Sequence, residues 1–147
     1  MSSLCFAFSP ESGSWLEAPR LKIPRSMSSG AVIDGSLLLT GGYNEDYFST
    51  SLTELWLPAI GGLDTPWVES DPLPFTRADH CSVVMGDIAG VSVVVTGNYP
   101  ETNQVNMAET SELSLEENGS MAWSSLPVCS PFLPTYSYMI DFSGHAV

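Results

Sequence analysis

The sequence predicts an all-β chain made of repeated four-stranded antiparallel sheets, and three observations carry that prediction. Its apolar runs are short, and Gly, Pro, Asp and Ser close each one, the signature of strands rather than helices. Asp34-Gly35 separates two such runs, Ala31 to Ile33 and Leu37 to Leu39, which is the strongest short-range hairpin signal. The same letters then recur at a fixed distance. Thr40-Gly41 and Thr96-Gly97 both end an apolar run, and position 97 follows position 41 by 56 residues. Trp67 and Trp123 are also 56 apart, while Trp15 precedes Trp67 and Arg25 precedes Arg77 by 52.

The elements follow in order. Leu4 to Phe8, a turn through Ser9 to Ser14, and Trp15 to Glu17 give two strands, the second half of a sheet. Residues 29–69 give a full meander: a strand, the Asp34-Gly35 turn, a strand ending in Gly41-Gly42, a polar loop, the run Leu52 to Leu57, a Gly/Pro loop, and Trp67. Residues 81–124 repeat it through CSVVM, VSVVVTG, TSELSL and MAW, with Thr53 to Leu57 aligned on Ser111 to Leu115. Residues 136–140 (YSYMI) resemble a first strand again. The units are therefore residues 1–24 (partial), 25–76 (full), 77–132 (full) and 133–147 (the start of another).

A period a little above fifty, with a glycine pair and a distal Trp, is the kelch spacing. FSPESGSW (Phe8 to Trp15) and IPRSMSSGAVIDGSLLLTGGY (Ile23 to Tyr43) resemble the stretches that mark kelch repeats, and the resemblance covers nearly the whole chain. Two positions depart from the pattern. Asn98 replaces the second glycine of the later repeat, and the aromatic before Trp becomes Leu57 and Leu115. The resemblance implies an incomplete kelch-type β-propeller of two full blades and two partial ones. Closed propellers have about four to eight blades, so it also implies a fragment, or an array completed by association with further kelch repeats.

Composition narrows the partners. Four basic residues stand against seventeen acidic ones, a net charge of −13. Neither nucleic acid nor an anionic membrane is held without a basic patch. Three cysteines (Cys5, Cys81, Cys129) form no CxxC and share no repeat position, so neither a metal site nor a disulfide framework is expected. Two isolated histidines, His80 and His145, do not make a zinc or copper site. No cofactor is expected. No apolar run approaches the roughly 18 residues of a membrane span, and the N-terminus lacks a signal-peptide pattern; the expectation is a cytoplasmic protein.

Topology alone then sorts the loops. In each meander the loop between the second and third strands shares a face with the connector to the next meander, and the tight turns occupy the opposite face. The loop face receives all four basic residues, Arg20, Lys22, Arg25 and Arg77. It also receives Tyr43 and Asn44, and their counterparts Asn98 and Tyr99. Tyr, Asn and Arg give rigid amphipathic area and directional hydrogen bonds, so Arg25, Tyr43, Asn44, Arg77, Asn98 and Tyr99 are the candidate partner-binding residues. In kelch substrate adaptors, arginines at the position of Arg25 line a peptide pocket, so the resemblance implies an acidic or phosphorylated peptide. The alternative for Arg25 is hydrogen bonding to neighbouring carbonyls, and Arg77, with Asp79 close by, reads as internally paired. The expected function is a non-enzymatic protein-interaction module. Its alternatives are a piece of a galactose-oxidase-like or sialidase-like propeller enzyme, or a truncated product without its own function. With four basic residues and two histidines, neither enzyme's ligand or arginine set can be assembled.

Overall fold

The computed structural model describes residues 1–33, 35–58, 62–87, 90–97, 110–115 and 121–126. The elements named among them are ten β-strands in three antiparallel sheets. Sheet I pairs β1 (Cys5–Ser9) with β2 (Ser14–Ala18). Sheet II is the meander β3 (Ser29–Ile33), β4 (Ser36–Thr40), β5 (Thr53–Trp56) and β6 (Val68–Ser70). Sheet III repeats that order with β7 (Cys81–Asp87), β8 (Gly90–Thr96), β9 (Thr110–Leu115) and β10 (Met121–Leu126). The all-β expectation therefore holds for the described chain, with both full meanders where the repeat placed them. The YSYMI segment lies outside the described residues.

Local chemistry sets each strand. The hairpin between β3 and β4 turns through Gly35, whose φ of 72° is a left-handed value that glycine adopts without a Cβ penalty. Along β1, exposure alternates residue by residue, the period-2 pattern of a sheet with one covered face. β8 instead reads as a continuous apolar run, and Val93, Val94 and Val95 are all buried. Such a run marks a strand covered on both faces.

The register corrects one sequence alignment. Sequence similarity lays Thr53 to Leu57 on Ser111 to Leu115, which matches Glu54 with Glu112. In the sheets Leu39 lies opposite Glu54, and Val95, its counterpart 56 residues on, lies opposite Ser111. Glu54 and Ser111 are thus the equivalent positions, and so are Trp56 and Leu113. The letters misled because side chains switch face at each step of a strand, so a slip of one residue exchanges the core and solvent sets.

Two apolar clusters join the sheets. Ala18 and Leu21 of the first unit pack with Trp56 of β5 and Trp67, which immediately precedes β6, flanked by Cys5, Ala7, Leu37 and Leu39. Ala31, Leu38 and Leu73 pack with Val93, Val95 and Leu113 of sheet III, flanked by Ile33, Leu55, Val84, Met121 and Trp123. Each cluster draws on two successive repeats, so no sheet buries its own face alone, as expected of a repeat architecture. The indoles tie the same junctions. Trp67 Nε1 donates to Pro19 O at 2.9 Å, and Trp123 Nε1 donates to Asp71 O at 2.9 Å. Pro19 and Asp71 stand one repeat apart in the two connectors.

Candidate functional site

The loop between β4 and β5 begins at the glycine pair. Gly41 and Gly42 have φ values of 57° and 101°. A Cβ on Gly41 would meet Arg77 O at 2.5 Å, and one on Gly42 would meet Ser26 O at 2.6 Å. The pair thus serves both positive φ and close backbone approach, as its position at a strand end suggests. Gly42 N–H donates to Arg77 O at 2.7 Å, which clamps this loop to the connector entering sheet III.

Beyond the glycines, three segments run side by side. Tyr43 bridges to Ser26 of the preceding connector and to Ser49 on the return of the loop. Ser26 and Tyr43 exchange backbone hydrogen bonds at 3.1 and 2.8 Å. Asn44 then fixes the loop tip: its Oδ1 accepts from Asp46 N–H at 3.1 Å and from Phe48 N–H at 2.9 Å. Its backbone N–H donates to Phe48 O at 3.0 Å and its carbonyl accepts from Tyr47 N–H at 3.0 Å. This is an Asx-type closure, the reason Asn is favoured in such loops. Asn44 thereby supports the face more than it supplies contact area.

The large apolar side chains this frame turns outward are Met27, Tyr47 and Phe48, which are 61%, 77% and 65% exposed, beside the exposed Glu45 and Asp46. Met27 follows Ser26, and Phe48 precedes Ser49, so the Ser26–Tyr43–Ser49 bridges bring these exposed residues onto adjacent segments. Met27 and Tyr47 both hold positive φ, 52° and 61°. For non-glycine residues that conformation persists only where the surroundings enforce it. Tyr47 belongs to the loop that the sequence places on this face. Met27 and Phe48 were missed, because exposed apolar letters in a loop are indistinguishable from core letters until the register is known.

The two arginines face the other way, and this corrects their assignment as partner-facing residues. Arg25 is 5% exposed and Arg77 is 1% exposed. Arg25 Nη1 donates to Leu52 O at 3.0 Å and to Gly41 O at 3.4 Å, and Nη2 forms a buried ion pair with Glu54. Glu54 also accepts from Lys22 N–H at 2.8 Å. Arg77 Nη1 donates to Gly97 O at 3.0 Å and Nη2 to Ser111 Oγ at 3.3 Å. Gly97 and Ser111 are the register counterparts of Gly41 and Glu54, so the two arginines do the same work in successive sheets. Arg25 closes the carbonyls of Gly41 and Leu52, and Arg77 that of Gly97, where the second and third strands separate. A guanidinium held this way offers no charge to a docking peptide. Burial pulls Arg25 below its ordinary value, and the charge and hydrogen bond of Glu54 oppose that shift.

His80 completes the frame. Its Nε2 lies 2.9 Å from Thr40 Oγ1, and Thr40 Oγ1 donates to Ser29 O at 3.2 Å. Thr40 Oγ1 also lies 3.3 Å from Ser82 Oγ, so the hydroxyl links the imidazole to both β3 and β7. Burial, then the neighbouring Arg77 charge, lower the His80 pKa from 6.5 to about 4. The ring is therefore neutral at pH 7 and joins sheet II to the segment entering sheet III. Among the described residues no cluster of His, Cys, Asp or Glu could hold a metal ion. No described helix is long and apolar enough to cross a membrane. Asn98, Tyr99 and His145 lie outside the described residues.

No family model matches the chain, and no curated protein matches it. Among solved structures the chain is similar to one titled "Structure of YjhT", with a TM-score of 0.69 and 16% sequence identity. The match covers 87% of this chain and 44% of that one, so this chain spans less than half of that structure's length. At that identity the likeness shows a shared fold alone.

Proposed function

We propose that the chain is part of a kelch-type β-propeller, with sheets II and III as blades, and that it binds a protein partner on the loop face. The observation that carries the binding reading is the Ser26–Tyr43–Ser49 bridging, which presents Met27, Tyr47 and Phe48 on a braced surface. Aromatic and Met side chains are enriched at interface centres, and a rigid frame limits the entropy lost on docking. The propeller reading is supported by the repeated Trp-to-connector bonds and by the stacking of successive meanders. The same reading assigns the chain a non-enzymatic role.

With Arg25 and Arg77 buried, recognition on this face rests on apolar area and hydrogen bonds rather than on an arginine cluster. The partner that fits is a protein segment with an exposed apolar anchor. The test starts from a partner captured with the intact chain and identified. Tyr47→Ala and Phe48→Ala each weaken its binding about tenfold or more, as truncation of a hot-spot aromatic does. Glu11→Ala, in the tight turn between β1 and β2 on the opposite face, leaves it unchanged. Loss of binding in the Glu11 variant with full binding in the other two would overturn the assignment.

A further inference from the structure

The loop from Asn44 to Phe48 is closed on itself. Asn44 N–H donates to Phe48 O, Tyr47 N–H donates to Asn44 O, and Asn44 Oδ1 accepts from Asp46 N–H and Phe48 N–H. Glu45, Asp46, Tyr47 and Phe48 follow Asn44 directly, and all four are exposed. One hydrogen-bonded tip therefore displays two carboxylates and two aromatic rings on consecutive residues. The left-handed backbone of Tyr47 is held within the same closure.

The chain itself does not neutralise those carboxylates. Among the described residues no ion pair reaches Glu45 or Asp46. The chain has four basic residues in all. Arg25 and Arg77 are buried, Arg20 lies 3.4 Å from Glu17, and Lys22 is exposed in the connector. The net charge of −13 gives the chain as a whole the same sign as the tip. An acidic or phosphorylated peptide would find Arg25 and Arg77 out of reach and two carboxylates in its way.

The rings make the surface, and the carboxylates select what docks on it. An arginine answers both. Its planar guanidinium pairs with a carboxylate through two parallel N–H donors, and it stacks on a Tyr or Phe face. An apolar neighbour of that arginine covers the remaining ring area and Met27. We propose that the loop face receives a protein segment carrying an arginine beside a large apolar side chain, with Glu45 and Asp46 meeting the guanidinium and Tyr47 and Phe48 the apolar anchor. The proposal rests on the loop-face reading above and adds the sign of charge that the partner carries. Exposed ion pairs contribute little affinity each. Their charge acts on the rate of encounter and on the exclusion of acidic segments.

A random peptide library displayed on phage supplies the probes. It is selected on the intact chain at low salt, then passed over the Phe48→Ala variant to remove peptides bound elsewhere. The peptides that remain carry an arginine beside a large apolar residue. Synthetic copies bind Phe48→Ala about tenfold or more weakly, and Glu45→Gln/Asp46→Asn about threefold or more weakly. Glu11→Gln/Asp64→Asn removes the same charge from the turns of the opposite face and leaves binding unchanged. Added salt weakens binding to the unsubstituted chain, and weakens it much less in Glu45→Gln/Asp46→Asn. Near-ultraviolet circular dichroism from the Trp56–Trp67 pair is retained in each variant, and Tyr47→Ala replaces Phe48→Ala if that variant loses it. Retained peptides that are acidic or uncharged overturn the proposal. So does binding that Phe48→Ala weakens and Glu45→Gln/Asp46→Asn does not; either result leaves the loop face standing with a different partner. A library that yields no peptide sensitive to Phe48→Ala overturns the loop face and this proposal together.

Discussion

Arg25 shows how one side chain can be read correctly for type and wrongly for place. Its position at the start of a repeat is legible in the spacing, and so is its choice between a pocket and neighbouring carbonyls. The sequence does not show that Glu54, twenty-nine residues on, is the buried acid that meets it. Only the register places Glu54 inward, and the apparent match of Glu54 with Glu112 points away from Ser111 as the equivalent position. Removing the acid leaves Arg25 charged and buried. Glu54→Ala therefore costs about 3–5 kcal/mol, measured by urea unfolding. His80 gives a second test at this scale. Its folded pKa lies below its unfolded value, so the unfolded chain takes up the proton first as pH falls. Stability from the neutral ring is whole above pH 6.5, declines as pH falls toward about 4, and reaches its full loss below that. The loss is about 3 kcal/mol at 1.36 kcal/mol per pH unit. Comparing unfolding free energies at pH 7.5 and pH 4 checks this: the difference is smaller in His80→Gln by about that amount, the carboxylate contribution being common to both proteins.

At the scale of elements, the strands, hairpins and glycine ends were legible because each depends on a few adjacent residues. Short apolar runs, turn residues and the Thr-Gly strand ends are local signals. The face each strand turns to the core was less legible, since Trp56 and Leu113 occupy one position with no letter in common. The loop tip was half legible: Asn44 is recognisable as a turn former, while the exposure of Met27 and Phe48 depends on three segments meeting. The glycines separate local strain from crowding. Gly13 and Gly41 share a left-handed φ, 63° and 57°, but a Cβ on Gly13 meets nothing within 4 Å. Gly13→Ala costs about 1–2 kcal/mol from backbone strain. Gly41→Ala costs measurably more, because the added methyl meets Arg77 O and the His80 ring as well. Thermal or urea unfolding of the two variants checks the order, and equal losses would mean the clamp to Arg77 is loose.

Across the whole molecule, the repeat period announced a stack, because a four-stranded sheet with two apolar faces needs neighbours on both sides. The period did not announce how the stack is fastened. Pro19 and Asp71 carry no side-chain signal for it, since the acceptor in each case is a backbone carbonyl in a connector. Nor did it show that Phe8 and Trp15 stand open, because burial depends on what covers a face and not on the letters in it. Stacking is the claim on which the two apolar junctions and the clamp of the glycine loop to Arg77 depend. Hydrogen exchange at the Trp67 indole N–H, followed by nitrogen-15 nuclear magnetic resonance, tests it most directly. Trp67 is 4% exposed, and its acceptor lies 48 residues earlier, beside a different sheet. If the sheets stack, this proton exchanges only through opening of the junction, far more slowly than a free indole. Exchange at the free-indole rate in the folded protein would contradict the stack.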